Sequence, residues 1–166
     1  MPLTQRIAPC LWFDSQAEEA AKFYVSVFKN SRIVSVARYG KAGQETHHRP
    51  PGSVMTVGFE LDGQSFTALN GGPVFTFNEA VSLQISCETQ EEIDYYWDKL
   101  SSGGDTRAQQ CGWLKDKYGL SWQVVPTVLP ELLKDHDSAR AARAMEAMLR
   151  MKKIDIGELQ REVARV

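Results

Sequence analysis

Polar side chains fall on one of the two alternating sets of positions in three segments of the chain, and this spacing could hold a small molecule by hydrogen bonds. Because successive side chains of a strand point to opposite faces, each segment predicts a β-strand with one polar and one apolar face. Hydroxyls, amides and a carboxylate along one face suit a cleft that orients a ligand through a few polar contacts. The polar positions are Ser82, Gln84 and Ser86 in 81–87, Ser121 and Gln123 in 120–125, and Thr56 and Glu60 in 54–61.

The same alternation also describes a sheet with helices on one side and solvent on the other, which needs no ligand. A merely solvated face would carry more Lys and Glu than these segments do, so we favour the cleft. Glu60 is the one carboxylate that we consider as a general base; the alternative is an exposed residue at a strand end. Trp113, Phe75 and Phe77 could offer stacking surface to a ligand, or could pack in the core or in a dimer.

These segments belong to a sequence that repeats itself. Laid against itself, the chain matches Glu18–Tyr24 with Glu91–Trp97, and Asp62–Leu69 with Tyr118–Val125. Each of the two helix-like segments follows an apolar run. Internal repeats of this kind predict two copies of one supersecondary unit.

The first copy predicts the order strand, helix, strand, strand, strand, and the second copy repeats it with a shorter middle. Acidic residues in the first turn of each helix suit the positive end of the helix dipole. Asp62-Gly63 is the strongest hairpin signal, and the Gly- and Pro-containing segment 40–52 predicts a long mobile loop that could close over the cleft. The predicted strands cover 7–13, 32–39, 54–61 and 64–70 in the first copy, and 81–87, 106–114 (ambiguous) and 120–126 in the second.

The C-terminal segment has no counterpart in either copy. Its spacing of apolar residues predicts helices over 129–133, 138–151 and 154–163, which would form an added packing or dimerisation element. The fold class expected is therefore α+β, in one domain over 1–166: a first module over about 5–72, a second over about 80–126 and a helical tail over 127–166.

Composition excludes several classes of function. With 166 residues, 43% hydrophobic and 24% charged, the chain is an ordinary globular domain. A formal charge of −2 gives no broad attraction to nucleic acid or to a membrane surface.

We expect the three cysteines, Cys10, Cys87 and Cys111, to be buried reduced thiols of a cytoplasmic protein. His47 and His48 are adjacent in a loop and His136 lies in a tail linker, so a metal role is the less favoured interpretation of each.

Several motifs stand out in the chain: Leu11–Asp14 with Ala17–Ala20 and Phe23-Tyr24, Ala68–Gly72, Asp116–Pro126, and Met148 with Met151–Asp155 in the tail. Together they resemble the vicinal oxygen chelate superfamily, which has the glyoxalase and bleomycin-resistance fold, and within it the PhnB-like branch. This resemblance implies two βαβββ modules that place curved mixed sheets around a cleft, usually in a homodimer. The branch often carries the label 3-demethylubiquinone-9 3-methyltransferase.

Metal-dependent members of the superfamily bind the ion through His or Gln, Glu, His and Glu. Carried over from the resemblance, these positions fall on Pro9, Thr67, Ser82 and Gln123. One amide does not hold a divalent cation, so we expect the ancestral metal site to be lost and no cofactor to be bound.

The leading hypothesis is a homodimer that binds a small, partly aromatic molecule in a metal-free cleft. Its ligand-binding residues would be Thr67, Ser82, Gln84, Gln123, Trp113, Phe75 and Phe77, with Glu60 as a further polar contact. The alternatives are an enzyme acting on a small oxygenated metabolite, either metal-assisted or with Glu60 as base, and a protein whose C-terminal helices dock a partner. The methyltransferase label has no physical support, because neither Gly71-Gly72 nor Gly103-Gly104 follows a strand and opens a helix.

Overall fold

The computed structural model describes residues 5–165, which divide into two compact units with the boundary between Thr76 and Phe77. Both units are α+β, and each begins with a strand followed by a helix. The expected fold class is therefore confirmed.

The first unit is a mixed four-stranded sheet in the order β1-β4-β3-β2. The strand β1 runs parallel to β4, whereas the other two pairs are antiparallel. Its elements are β1 (Cys10–Phe13), α1 (Ala17–Val27), β2 (Arg32–Arg38), α2 (Gln44–His47), β3 (Val54–Leu61) and β4 (Gln64–Asn70).

The helix α1 covers the apolar face of this sheet. Ala20, Ala21 and Tyr24 are fully buried, and the Tyr24 ring stacks on that of Phe59 with 6.3 Å between centroids. Small residues beside a large aromatic one let the helix approach the sheet closely while the ring fills the core. The hairpin predicted at Asp62-Gly63 joins β3 to β4, with φ of 47° and 78° at the two residues, as a primed turn requires. The segment predicted to be a mobile loop contains the one-turn helix α2.

The second unit contains a three-stranded sheet in the order β5-β7-β6, with β5 parallel and β6 antiparallel to β7. Thr89 caps α3 by accepting a hydrogen bond from the amide of Glu92 at 3.2 Å. The elements are β5 (Ser82–Cys87), α3 (Gln90–Ser101), β6 (Trp113–Lys115), β7 (Ser121–Pro126), α4 (Leu129–Leu133), α5 (Ser138–Arg150) and α6 (Ile156–Ala164).

The ambiguous segment 106–114 is not one long strand. Thr106–Ala108 forms a 3₁₀ turn, and β6 begins only at Trp113. Cys111 and Gly112 just before it have φ of 52° and 82°, and two successive positive φ values break an extended strand. The described part of the second unit consequently has one strand fewer than the first.

The C-terminal helices complete the core of the second unit. Their apolar faces pack around Val125 of β7, which is 6% exposed. The segment between α5 and α6 also pairs with the two residues that precede β6. The amide of Cys111 donates to the carbonyl of Met151, and the amide of Gly112 donates to the carbonyl of Lys152, both at 2.8 Å. The tail is thus an integral layer of this unit. The buried residues of this layer are Leu129, Ala144, Ala147, Met151, Ile154, Leu159 and Val163.

The expectation of three buried cysteines was wrong. Cys87 is fully buried, but Cys10 is exposed and Cys111 is partly exposed. Cys10 alternates with Leu11 along β1, and it is Leu11 that faces the core.

None of the helices described within residues 5–165 combines the length and the hydropathy that a membrane-spanning helix needs.

Candidate functional site

Two amides and an indole form a row across the second sheet. Gln84 on β5 is in register with Gln123 on β7, and Gln123 is in register with Trp113 on β6. Residues directly opposite each other on neighbouring strands project from the same face of a sheet. The alternation of the two faces is therefore observed, since Leu114, Trp122 and Val124 lie buried on the other side. Ser121 departs from the expectation, because it shares the face of Gln123 but is buried, at 1% exposed.

A hydrogen bond fixes the central amide of this row. Gln123 donates from Nε2 to Oγ of Ser82 at 2.8 Å. This orientation leaves Oε1 of Gln123, for which the described residues supply no donor, as an acceptor on the polar face. Ser82 accordingly contributes to the polar face by orienting the side chain of Gln123.

The row forms one side of a cavity of about 380 Å³ within the second unit. This volume lies in the range of small-molecule sites, and the opposite side is largely apolar. The cavity is lined by Gln84, Trp113 and Gln123 from the strands, Cys111 and Val125 beside them, and Leu129, Pro130, Leu133, Lys134 and Met148 from the tail.

Sequence reasoning missed the tail as a wall of the cavity. Leu129 and Leu133 are one helical turn apart on α4, and Met148 lies on α5. The spacing of Leu129 and Leu133 signalled an apolar helix face. Nothing in the alternation of the strands showed that this face would lie over Gln84 and Gln123.

The remaining predicted residues do not line this cavity. Thr67 lies on β4 of the first unit, in register with Cys10 and Gly58 and partly buried. Phe75, also in the first unit, is 62% exposed and packs edge-to-face on Trp12 with 4.9 Å between centroids. Phe77 is partly buried in the second unit.

Glu60 is engaged in an ion pair. Arg32 donates from Nε to Oε2 at 2.8 Å and from Nη2 to Oε1 at 3.2 Å. The hydrogen bond from Arg32 to this carboxylate also raises the pKa of the guanidinium. Because both carboxylate oxygens face the guanidinium, abstraction of a proton by Glu60 would first require this bidentate pair to open.

Two of the motifs that carry the resemblance, Leu11–Asp14 and Ala68–Gly72, pack against each other. Trp12 donates from Nε1 to the carbonyl of Gly72 at 2.8 Å, and a Cβ on Gly71 would overlap the indole ring of Trp12. A Cβ on Gly72 would lie 2.9 Å from Nη2 of Arg49, which in turn donates to the carbonyl of Asp14 at 2.7 Å. The paired glycines therefore leave space for two large side chains.

The amide that precedes the paired glycines is structural as well. Asn70 is 6% exposed, and its Oδ1 accepts from the amide of Ala17 at 2.8 Å. Its Nδ2 donates to the carbonyl of Val54 at 3.1 Å. Because both ends of the amide are engaged, Asn70 ties the start of α1 and the start of β3 to the end of β4.

The carried-over metal positions do not fit a metal ion. Pro9 has no side-chain donor, Thr67 offers a hydroxyl, and the other two side chains, Ser82 and Gln123, are hydrogen-bonded to each other. Divalent transition metals need several convergent imidazole, thiolate or carboxylate groups. Within residues 5–165, no group of three or more His, Cys, Asp and Glu is placed to hold such an ion.

The cysteines near the site differ in their environment. Burial, followed by the negative charge of Glu92, raises the pKa of the Cys87 thiol to about 11. This thiol therefore stays protonated at neutral pH and serves packing. Cys111 lines the cavity beside Trp113.

Comparison with known proteins identifies the family. Residues 5–125 match the model of the family described as 3-demethylubiquinone-9 3-methyltransferase. The chain belongs to this family. A solved structure described as a putative member, a PhnB protein from Bacillus cereus, is 39% identical over 74% of this chain and 100% of that one, with a TM-score of 0.64.

More distant structures show the fold alone. A Pseudomonas aeruginosa protein is 17% identical over 74% of this chain and 98% of its own, with a TM-score of 0.56. The fosfomycin resistance protein FosX from Listeria monocytogenes, solved with Mn(II) and sulfate, is 13% identical over 80% of this chain and 97% of its own, with a TM-score of 0.52. The chain therefore has the vicinal oxygen chelate fold that the sequence resemblance implied. No match was found among the curated proteins.

Proposed function

We propose that this protein binds a small, partly aromatic molecule in the cavity of its second unit, without a metal ion. The observation that supports this most is the row of Gln84, Gln123 and Trp113 facing an apolar wall across about 380 Å³. Such a site combines apolar area with a few polar groups that fix orientation, which is the usual composition of a ligand pocket.

Each part of the row has a distinct task in this proposal. The indole of Trp113 offers a flat surface for stacking against a ring. Oε1 of Gln123, held by the hydrogen bond to Ser82, accepts a hydrogen bond from the ligand. Gln84 is exposed and can both donate and accept.

Methyl transfer, the activity in the family description, is not part of this proposal. A class I methyltransferase holds its cofactor where a parallel strand runs into a glycine-rich turn that opens a helix. Here Gly71-Gly72 follows β4 and leaves space for Trp12 and Arg49. Gly103-Gly104 follows α3, and the carbonyl of Lys115 lies against Gly104.

An enzyme that uses Glu60 as base is the second candidate, and the ion pair with Arg32 counts against it. The substitution Glu60→Gln would leave binding in the second unit unchanged under our proposal. A loss of ligand binding or of turnover in that variant would favour the enzyme.

The proposal is tested by isothermal titration calorimetry with 2-naphthol as the probe. We expect Trp113→Ala to weaken binding at least about tenfold, since stacking and burial of a ring are together worth about 1.4 kcal/mol or more. Tyr95→Ala is the matched control, because Tyr95 is a 42% exposed aromatic residue of α3 that does not line the cavity. The proposal fails if 2-naphthol does not bind, or if both variants bind it as the wild type does.

A native mass spectrum of protein purified without chelator tests the metal-free part of the proposal. We expect the mass of the polypeptide, or of its dimer, with no stoichiometric metal. One metal ion per chain would overturn the assignment of the carried-over positions.

A further inference from the structure

One charged side chain lines the cavity, and it is a cation. Lys134 follows the last residue of α4 and joins the apolar wall formed by that helix. The remaining lining residues are apolar, amide-bearing or thiol-bearing, and none is acidic. Among the residues that line the cavity, Lys134 is therefore the one whose charge can attract an anionic group of a ligand.

The ammonium group of Lys134 forms no ion pair within residues 5–165. The adjacent carboxylate of Asp135 is occupied by Arg140 at 3.1 Å and by the amide of Asp137 at 2.9 Å. Outside the cavity lining, Glu79 and Lys115 form an ion pair with each other. Glu131, on α4, does not line the cavity, so Lys134 is the lining residue that can pair with a charged group of a ligand.

We infer that the ligand is an aromatic carboxylate, with its ring on Trp113 and its carboxylate toward Lys134. This inference rests on the proposed function and names the chemical class that the same cavity selects. A single ammonium group suits a monoanion, whereas phosphate recognition usually gathers arginines or several backbone amides. A hydroxyl on the ring would complete the match by donating to Oε1 of Gln123.

The test compares two ligands that differ in charge. Binding of 6-hydroxy-2-naphthoate and of its neutral amide, 6-hydroxy-2-naphthamide, is measured by calorimetry on the full chain. The carboxylate should bind about threefold to fivefold more tightly, which is the scale of one partly exposed ion pair. Added salt should reduce this preference, because exposed charges are screened.

Variants of Lys134 assign the preference to one side chain. Lys134→Gln should abolish it, and Lys134→Arg should keep it. The control is Lys152→Gln, since Lys152 is an exposed lysine of the same unit outside the cavity lining. The inference is overturned if both ligands bind wild type equally, or if Lys134→Gln keeps the preference; in either case the binding function stands. If neither ligand binds, the proposed function fails with it.

Discussion

Asp116 and Trp122 are joined by a buried hydrogen bond, in which the indole Nε1 donates to Oδ2 at 2.8 Å. Both residues are 2% exposed. The other oxygen, Oδ1, accepts from the amides of Tyr118 at 2.8 Å and Leu120 at 3.1 Å. One carboxylate thus shapes the turn before β7 and anchors the indole beneath the polar row.

We expect Asp116→Asn to lower the free energy of unfolding by about 2 kcal/mol. The amide must point its NH₂ group either at two backbone donors or at the indole, and an unsatisfied buried group costs about 1–3 kcal/mol. Urea denaturation measures the change. Asp98→Asn, at an exposed position of α3, is the control and should stay within about 0.5 kcal/mol of wild type.

A double-mutant cycle with Trp122→Phe separates the hydrogen bond from other effects. We expect a coupling free energy of about 1 kcal/mol or more between the two positions. Strict additivity would show that the indole and the carboxylate contribute independently.

The strands of the second unit were predictable because alternation along each strand is a local property. Leu83 and Ile85 alternate with Ser82 and Gln84, so the sequence alone assigns the two pairs to opposite faces of the strand. The cavity was only half predictable. Its wall comes from α4 and α5, whose packing over β7 depends on contacts between distant segments.

The broken strand before β6 was also beyond local reasoning. Cys111 has a positive φ, which a cysteine rarely adopts. The residue type therefore gave no indication of this conformation. Pairing of its amide with the carbonyl of Met151 holds it there. That contact spans two segments far apart in sequence.

Gly71→Ala should destabilise the first unit by about 2 kcal/mol. The added Cβ would overlap the indole of Trp12, and forcing atoms into a packed site costs about 1–3 kcal/mol. Thermal unfolding followed by circular dichroism measures the loss of stability.

Gly52→Ala is the control for Gly71→Ala. Gly52 has a φ of 88° and open space around its Cβ position, so its substitution tests backbone strain alone, at about 1 kcal/mol. In a Trp12→Ala background, Gly71→Ala should lose most of its cost. A cost that persists there would contradict the steric explanation.

Gln90 should prove to be a main attachment of the tail to α3. Its Nε2 donates to the carbonyl of Ile154 at 3.1 Å, and its Oε1 accepts from the amide of Ile156 at 2.9 Å. We expect Gln90→Ala to speed hydrogen exchange in 151–165 about tenfold, which corresponds to about 1.4 kcal/mol of local opening. Gln90→Glu should do at least as much, because the carboxylate would face the Ile154 carbonyl. Unchanged exchange in both variants would contradict this role.

The ion pair between Asp94 and Lys153 should give the stability of the tail a dependence on pH. Lys153 donates to Asp94 at 2.7 Å, and this hydrogen bond, followed by that from Gln90, lowers the pKa of the Asp94 carboxyl. A lowered pKa in the folded state means that the contribution is present at neutral pH and is lost as pH falls through that pKa. Both side chains are more than a third exposed, so the contribution is about 0.5 kcal/mol. Urea denaturation of wild type and Asp94→Asn at pH 7 and pH 3 should show a stability difference that shrinks at the lower pH; an equal difference at both would contradict it.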